Sequence, residues 1–153
     1  MWEPEVVILQ RDSKRVALHY FYQLQIETIM TNLSAEYFHR FLTGIYPCSV
    51  PFSLNVVHRQ FKKRLGTYFV GAKRINIYDG GRNDNECRKT AIHEYAHHLH
   101  HTEKNMFTDD VRKTDRAHGA HFWEIYAFLM VTAYQKGLYS DDYLLPLMSQ
   151  LNK

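Results

Sequence analysis

The chain has 153 residues, of which 45% are hydrophobic, and a formal net charge of +3 at pH 7. This composition predicts one globular domain, residues 1–153, and excludes intrinsic disorder, which requires few apolar residues. No apolar run is long enough to span a membrane, and the acidic residues 1–5 lack the basic region of a signal peptide, so we expect a cytoplasmic protein. Residues 1–12 are interpreted as a tail or short strand, and Cys48 and Cys87 as reduced thiols.

Two helices are predicted before residue 45. The first covers residues 13–30, where apolar side chains recur at helical spacing. The second begins after Ser34, a good N-cap residue, and ends at Gly44. Its apolar face consists of Tyr37, Phe38, Phe41 and Leu42.

Between residues 52 and 78 the apolar period shortens towards two, which is typical of strands. Residues 67–70 and 74–78 are predicted to form a β-hairpin, because a glycine-containing turn separates two β-branched and aromatic runs. Two further helices are predicted. One starts near residues 83–85, where Asn83, Asp84 and Asn85 are all acceptable N-caps, and the other covers 116–136 with Gly137 as its C′ residue. We therefore expect an α+β fold with N-terminal helices, a small antiparallel sheet whose hairpin packs on the third helix, and a C-terminal helix.

The third predicted helix carries the sequence His93-Glu94-Tyr95-Ala96-His97. Residues i and i+4 lie on one helical face, so His93 and His97 can direct two imidazole nitrogens at one metal ion. Glu94 is displaced by about 100° around the helix, which places its carboxylate beside the metal ion. This HExxH spacing is that of zinc hydrolases. The opposite apolar stripe is Cys87, Ala91, Ile92, Tyr95, Ala96 and Leu99.

A catalytic zinc site needs three protein ligands and one position open to water, so a third ligand must come from elsewhere. The best candidate segment is residues 116–123, which contains His118 and His121. The metzincin pattern is excluded, because it requires glycine at position 100 and histidine at position 103. The remaining alternatives are His100, His101, Glu124, Asp115, Asp110 and Asp109. We interpret His100 and His101 as helix-terminal basic groups, and the acids as partners of the histidine rings or as connector charges.

The pairing of HExxH with the later His118-Gly119-x-x-Phe122 element resembles the SprT-like zinc metalloprotease family. The similarity covers residues 34–134 and includes Arg64-Leu65-Gly66 and Arg74-Ile75-Asn76-Ile77 before the motif helix. The resemblance implies a minimal zincin-like domain that binds Zn²⁺ through His93, His97 and His118. It also implies Glu94 as the general base for hydrolysis of peptide bonds in protein or peptide substrates.

In this mechanism the oxyanion needs a hydrogen-bond donor, for which the sequence offers Tyr68, Tyr78, Arg116 and His121. The hairpin edge offers a place where an extended substrate adds as a strand. Four aromatic residues of the last helix are expected in the core: Phe122, Trp123, Tyr126 and Phe128.

Residues 37–78 contain no Asp or Glu, whereas they contain several basic residues. We call six of these residues the basic block: Arg59, Lys62, Lys63, Arg64, Lys73 and Arg74. Such a block is either a DNA-binding surface or a solvated face balanced by acids from elsewhere. Many SprT-like proteins carry a C-terminal zinc ribbon of CxxC type, which this sequence lacks, so DNA recruitment would depend on the basic block or on a partner protein.

Two other functions fit the same residues. One is a non-catalytic, zinc-stabilised module that binds nucleic acid or protein, with Cys48 or His121 as a fourth ligand that closes the site. The other is a regulatory protease that cuts one dedicated repressor. It would share the chemistry and differ only in its substrate.

Overall fold

The structure is a computed structural model that describes residues 31–107 and 115–141. Within these ranges the fold is α+β, as predicted at this coarse level. The elements in chain order are α1 (Ala35–Ile45), β1 (Ser53–Val57), β2 (Gly66–Phe69), β3 (Arg74–Tyr78), α2 (Asp84–Thr102) and α3 (Ala120–Gln135). The predicted tail over 1–12 and the predicted helix over 13–30 lie outside the described residues.

The sheet is mixed, so the prediction of an antiparallel sheet was wrong in part. Its strand order is β1-β3-β2, in which β1 runs parallel to β3 and β2 runs antiparallel to β3. The central position of β3 explains why Ile75 and Ile77 are fully buried. The apolar period identified strand residues, but a period carries no information about strand direction.

The predicted hairpin is confirmed, with a shift at its turn. Tyr68 pairs with Ile75, and β2 ends at Phe69, so Val70 belongs to the turn. The turn residue with positive φ is Lys73, at 48°, whereas the glycine expected to relieve the turn, Gly71, has no positive φ. The left-handed position of this turn is therefore occupied by Lys73 and not by the glycine.

Helix α1 begins as predicted, because the Ser34 side chain accepts a hydrogen bond from the backbone N–H of Tyr37. It continues one residue beyond the predicted end at Gly44, because Ile45 is buried in the core. The carbonyl oxygens of Gly44 and Ile45 accept hydrogen bonds from Lys136 Nζ at 2.9 and 3.0 Å. This lysine satisfies backbone groups that the end of a helix leaves unpaired.

Helix α2 is the central element of the described fold. Asn83 is its N-cap and accepts a hydrogen bond from the backbone N–H of Glu86. All six residues of the predicted apolar stripe are fully buried. The helix contacts β2, β3, α1 and α3, so it also buries polar side chains at Glu94, His97, His98 and His100. Buried ionisable groups are rare unless they are paired or functional, which directs attention to this helix.

Helix α3 is shorter at its start than predicted. Gly119 is its N-cap, so His118 lies in the turn before the helix rather than in its first turn. Gly137 follows the C-cap with φ 71°, as expected of a C′ glycine. The assignment of Trp123 to the core was wrong, because its side chain is 47% exposed, whereas Phe122 is fully buried.

None of the helices within 31–107 and 115–141 combines the length and the apolar character needed to cross a membrane.

Candidate metal centre

Three histidines from two parts of the chain meet at one point. His93 and His97 lie one turn apart on α2, with ring centroids 5.1 Å apart. His118 Nε2 lies 3.0 Å from His97 Nε2 and 3.3 Å from His93 Nε2. The ligand atoms of all three rings lie within 4.8 Å of one another, so this three-histidine group could hold a metal ion.

Phe122 contacts the rings of all three histidines. It stacks on His97 at 4.3 Å between centroids and lies edge-on to His118 and His93 at 5.0 and 5.1 Å. The sequence indicated only a core role for this residue. Its contacts restrict the rotamers of the rings, which is what a preformed metal site requires.

Electrostatics favours the neutral, metal-binding form of the two helical histidines. Burial lowers the pKa of His97 to about 3, and the neighbouring His93 and His118 contribute to the same shift. Burial and His118 also lower the pKa of His93. Both rings are therefore uncharged at neutral pH, and an uncharged imidazole has a nitrogen lone pair for a metal ion.

Glu94 lies beside the three-histidine group and is not a member of it. Its side chain is only 7% exposed, and burial raises its pKa to about 7. A carboxyl group with such a pKa can both accept and release a proton near neutral pH. Strand β2 passes very close to it, because a Cβ added at Gly66 would lie 2.9 Å from Glu94 Cγ.

A cleft of about 830 Å³ is lined by the three histidines and Glu94. Its lining continues along β2 and the loop before it, through Tyr68 and Leu65. Leu65 is 58% exposed, so part of the wall is apolar and open to solvent. This volume lies within the usual range for ligand-binding clefts.

The other predicted ligands do not join the three-histidine group. His100, Asp115 and His121 form a separate cluster, in which Asp115 contacts His100 and His121 rather than the rings of the three-histidine group. Glu124 is exposed on α3. Asp109 and Asp110 lie outside the described residues. His101 is exposed and stacks on Tyr68 with ring centroids 5.9 Å apart.

Three of the four predicted oxyanion donors already have hydrogen-bond partners. The Tyr68 hydroxyl lies 2.8 Å from His98 Nδ1, and the Tyr78 hydroxyl lies 3.0 Å from Thr67 Oγ1. His121 Nε2 lies 2.6 Å from the carbonyl oxygen of Met106. The fourth, Arg116, is exposed before α3.

Tyr126 is a donor candidate that the sequence did not indicate. It lines the cleft, and its ring centroid lies 5.7 Å from that of His93. Burial, with a contribution from Asp141, raises the pKa of its hydroxyl, so the group remains protonated and able to donate. The sequence placed Tyr126 on the apolar face of a helix, as for a core residue. Only the location of the cleft distinguishes a packing role from that of an oxyanion donor.

His98 is a structural residue that the sequence left without a role. It is fully buried, and its Nε2 donates to the Val50 carbonyl oxygen at 2.8 Å. Because Nε2 carries the hydrogen in this arrangement, Nδ1 accepts from the Tyr68 hydroxyl. The residue connects α2 to β2 and to the segment before β1.

Most of the basic block is exposed, as a charged surface should be. Arg59, Lys62, Lys63 and Arg64 are all exposed on the loop between β1 and β2. Lys63 and Arg64 also line the cleft. Arg74 is half-buried and lies over the ring of Phe69 at 4.6 Å. DNA binding by this surface stays a prediction.

Neither predicted fourth ligand is in the three-histidine group of the described chain. Cys48 is half-buried beside Tyr95, and His121 belongs to the cluster around Asp115. No family model, curated protein or solved structure matches this chain.

Proposed function

We propose that this chain is a zinc-dependent metallopeptidase of the SprT-like, zincin type. The observation that carries the proposal is the convergence of His93, His97 and His118 beside Glu94 in one cleft. Three protein ligands with access to solvent are typical of catalytic zinc sites, whereas structural sites are usually closed by four ligands.

Two of the three nitrogen–nitrogen distances are compatible with a zinc ion. Two ligand nitrogens on a tetrahedral zinc ion lie about 3.3 Å apart, given a Zn–N distance of about 2.05 Å. The Nε2 atom of His118 lies 3.0 and 3.3 Å from the other two Nε2 atoms. An all-imidazole ligand set also suits zinc better than calcium or magnesium, which prefer oxygen ligands.

When bound, Zn²⁺ would act as a Lewis acid that lowers the pKa of a water molecule to about 7. Glu94 accepts the proton of the attacking water and then delivers it to the leaving amine of the cleaved peptide. Tyr126 donates a hydrogen bond to the developing oxyanion from the wall of the cleft. Strand β2 is an edge strand of the described sheet and lines the cleft, so an extended substrate has space to lie along its outer edge.

The proposed substrates are peptide bonds of proteins. We extend the proposal to DNA-associated proteins only because part of the basic block is exposed and could contact DNA. Lys63 and Arg64 support this extension, because both line the cleft that holds the three-histidine group. A regulatory protease with one dedicated repressor substrate has the same chemistry, and substrate profiling distinguishes the two.

The test compares zinc-loaded wild-type protein with Glu94→Gln on a proteome-derived peptide library, with cleavage read by mass spectrometry. We expect Glu94→Gln to retain zinc and to lose at least about 100-fold in cleavage rate, because a general base contributes that much. The matched control is Glu36→Gln on α1, where the exposed Glu36 forms an ion pair with Arg40 at 3.0 Å. This variant should cleave at the wild-type rate.

Two results would contradict this proposal. A fully active Glu94→Gln protein would remove the assigned base. Wild-type protein that binds zinc and cleaves no peptide would instead fit the non-catalytic, zinc-stabilised module.

A further inference from the structure

A second group of ionisable side chains lies next to the three-histidine group. It joins His100 near the end of α2, Asp115 before the turn that carries His118, and His121 in the first turn of α3. We call these three residues the Asp115 cluster. Asp115 Oδ2 lies 2.6 Å from His100 Nε2 and 3.7 Å from His121 Nδ1. One carboxylate therefore hydrogen-bonds a histidine of α2 and makes a longer contact with a histidine of α3, an arrangement that we call the bridge.

The two histidines of the cluster are held firmly. Their side chains are 5% and 4% exposed for His100 and His121. The Met106 carbonyl can only accept a hydrogen bond, so His121 Nε2 carries the hydrogen and donates at 2.6 Å. This bond fixes the ring, and Nδ1 then lies 3.7 Å from Asp115 Oδ2, a contact longer than a hydrogen bond. His100 donates from Nε2 to the carboxylate, since a carboxylate accepts.

The bridge lies close in sequence to His118, the third proposed ligand. Asp115 precedes His118 by three residues, and a chain of that length spans at most about 10 Å. The backbone N–H of Gly119 donates to the Arg116 carbonyl at 3.0 Å, which closes the intervening segment into a turn. Holding Asp115 therefore restricts where the His118 ring can lie.

His118 needs such an anchor more than the other two ligands do. His93 and His97 are fixed by the backbone of α2, whereas His118 is exposed and lies in a turn outside any helix. Without an anchor, the entropy of ordering this turn would reduce the affinity for the metal ion.

We propose that Asp115 is a positioning residue that holds His118 in place for the metal ion by bridging His100 and His121. The inference rests on the metal site of the proposed function and not on its peptidase activity. Removal of the bridge weakens metal binding through His118 alone.

The cluster could also be taken for a second metal site, but its geometry disfavours this. A separation of 2.6 Å between His100 Nε2 and Asp115 Oδ2 is a charge-assisted hydrogen-bond distance. Two ligands on one zinc ion lie about 3.3 Å apart. These two atoms would therefore have to move apart to hold a zinc ion.

The experiment measures the zinc dissociation constant of the full chain by competition with a chromophoric chelator, together with the number of zinc ions bound. The variants are Asp115→Ala, Asp115→Asn, His118→Ala and the double variant Asp115→Ala/His118→Ala, with Glu36→Gln as the control for loss of a carboxylate. We expect about 10- to 100-fold weaker zinc binding for Asp115→Ala, as for other groups that orient a ligand. Asp115→Asn keeps a hydrogen-bond acceptor and should weaken zinc binding less. If the alanine variant does not fold, the asparagine variant is measured in its place.

The double variant separates positioning from a general effect on the fold. Because Asp115 acts through His118, Asp115→Ala should weaken zinc binding by less than about 2-fold once His118 is already alanine. An equal loss in both backgrounds would overturn the inference. So would a lowered melting temperature of the Asp115 variants with an unchanged dissociation constant.

The bound stoichiometry provides the last criterion. One zinc ion per chain in every wild-type sample supports the positioning role, whereas two ions in wild-type protein and one in Asp115→Ala would establish a second metal site. Unchanged affinity of the Asp115 variants beside normal wild-type binding would overturn this inference only. Absence of zinc binding in the wild type would overturn the proposed function and this inference together.

Discussion

Phe122 is one of several residues whose function follows from what they touch rather than from their type. It is fully buried, and it contacts the rings of His93, His97 and His118. Sequence periodicity identified it correctly as core, and the structure adds that this part of the core contacts the three-histidine group. The neighbouring Trp123 has the same aromatic character and is nearly half exposed. Aromatic character alone therefore does not distinguish a buried residue that contacts the histidines from an exposed neighbour.

We predict that Tyr126→Phe lowers kcat by about 100- to 1000-fold with zinc content unchanged, because one oxyanion donor contributes that much. KM should change little, since the hydrogen bond strengthens only as charge develops on the substrate oxygen. The measurement is steady-state kinetics on the best peptide from the library.

The matched control for this variant is Tyr134→Phe. Tyr134 lies about two turns further along α3 and does not line the cleft. Equal kcat values for Tyr126→Phe and wild-type protein would show that Tyr126 is not the oxyanion donor and that its role is packing.

At the scale of elements, the close approach of β2 to α2 positions the proposed base. A Cβ added at Gly66 would lie 2.7 Å from Thr90 Cγ2 and 3.0 Å from the Asn76 carbonyl oxygen. Thr90 cannot move away freely, because its hydroxyl accepts a hydrogen bond from the buried Arg82. Glycine is thus required for this packing distance, and the resulting contact confines Glu94.

We predict that Gly66→Ala destabilises the protein by about 1–3 kcal/mol, the usual range for overpacking, and also reduces peptide cleavage by displacing Glu94. The free energy of unfolding would be measured by urea denaturation and the cleavage rate on the same samples. Gly71→Ala in the hairpin turn is the control, since its added Cβ meets nothing within 4 Å. Wild-type stability and activity in Gly66→Ala would show that β2 can retreat without consequence.

The elements were predictable where the signal is local. The N-cap Ser34, an N-cap within residues 83–85, the stripe of α2 and the hairpin follow from neighbouring residues, and each is present in the structure. The parallel pairing of β1 with β3 was not predictable, because it depends on how the chain returns between them. The start of α3 was placed too early, since the backbone N–H of Gly119 bonds to the Arg116 carbonyl in a separate turn and Gly119 then caps the helix.

The candidate site divides in the same way. HExxH spacing brings His93, His97 and Glu94 to one region through helical geometry alone. The convergence of His118 with them was expected from the family resemblance, and the structure brings its ring to this group. The partners of Asp115 could not be predicted, because His100 and His121 meet it only through the packing of α2 on α3.

At the scale of the whole molecule, the three-histidine group joins parts of the chain that are distant in sequence. Two of its histidines belong to α2 and one to the turn before α3, so a bound ion would act as a cross-link between them. An ion that binds only the folded state stabilises that state by mass action.

We predict that removal of zinc with a chelator lowers the melting temperature of the wild-type protein by on the order of 10 °C. Free zinc at 1000 times its dissociation constant contributes about 4 kcal/mol, and each kcal/mol shifts the midpoint by about 2–4 °C at this chain length. Differential scanning calorimetry with and without chelator provides the measurement. His118→Ala should lose most of this difference, and an identical chelator response in both proteins would contradict a ligand role for His118.

The most direct test of the account is the coordination of the metal in zinc-loaded, full-length protein, measured by X-ray absorption at the zinc edge together with metal content. The account predicts one zinc ion per chain with three imidazole nitrogens and one position filled by solvent, and the loss of one imidazole in His118→Ala. A fourth protein ligand, such as a sulfur atom from Cys48, or a chain that retains no zinc, would contradict it.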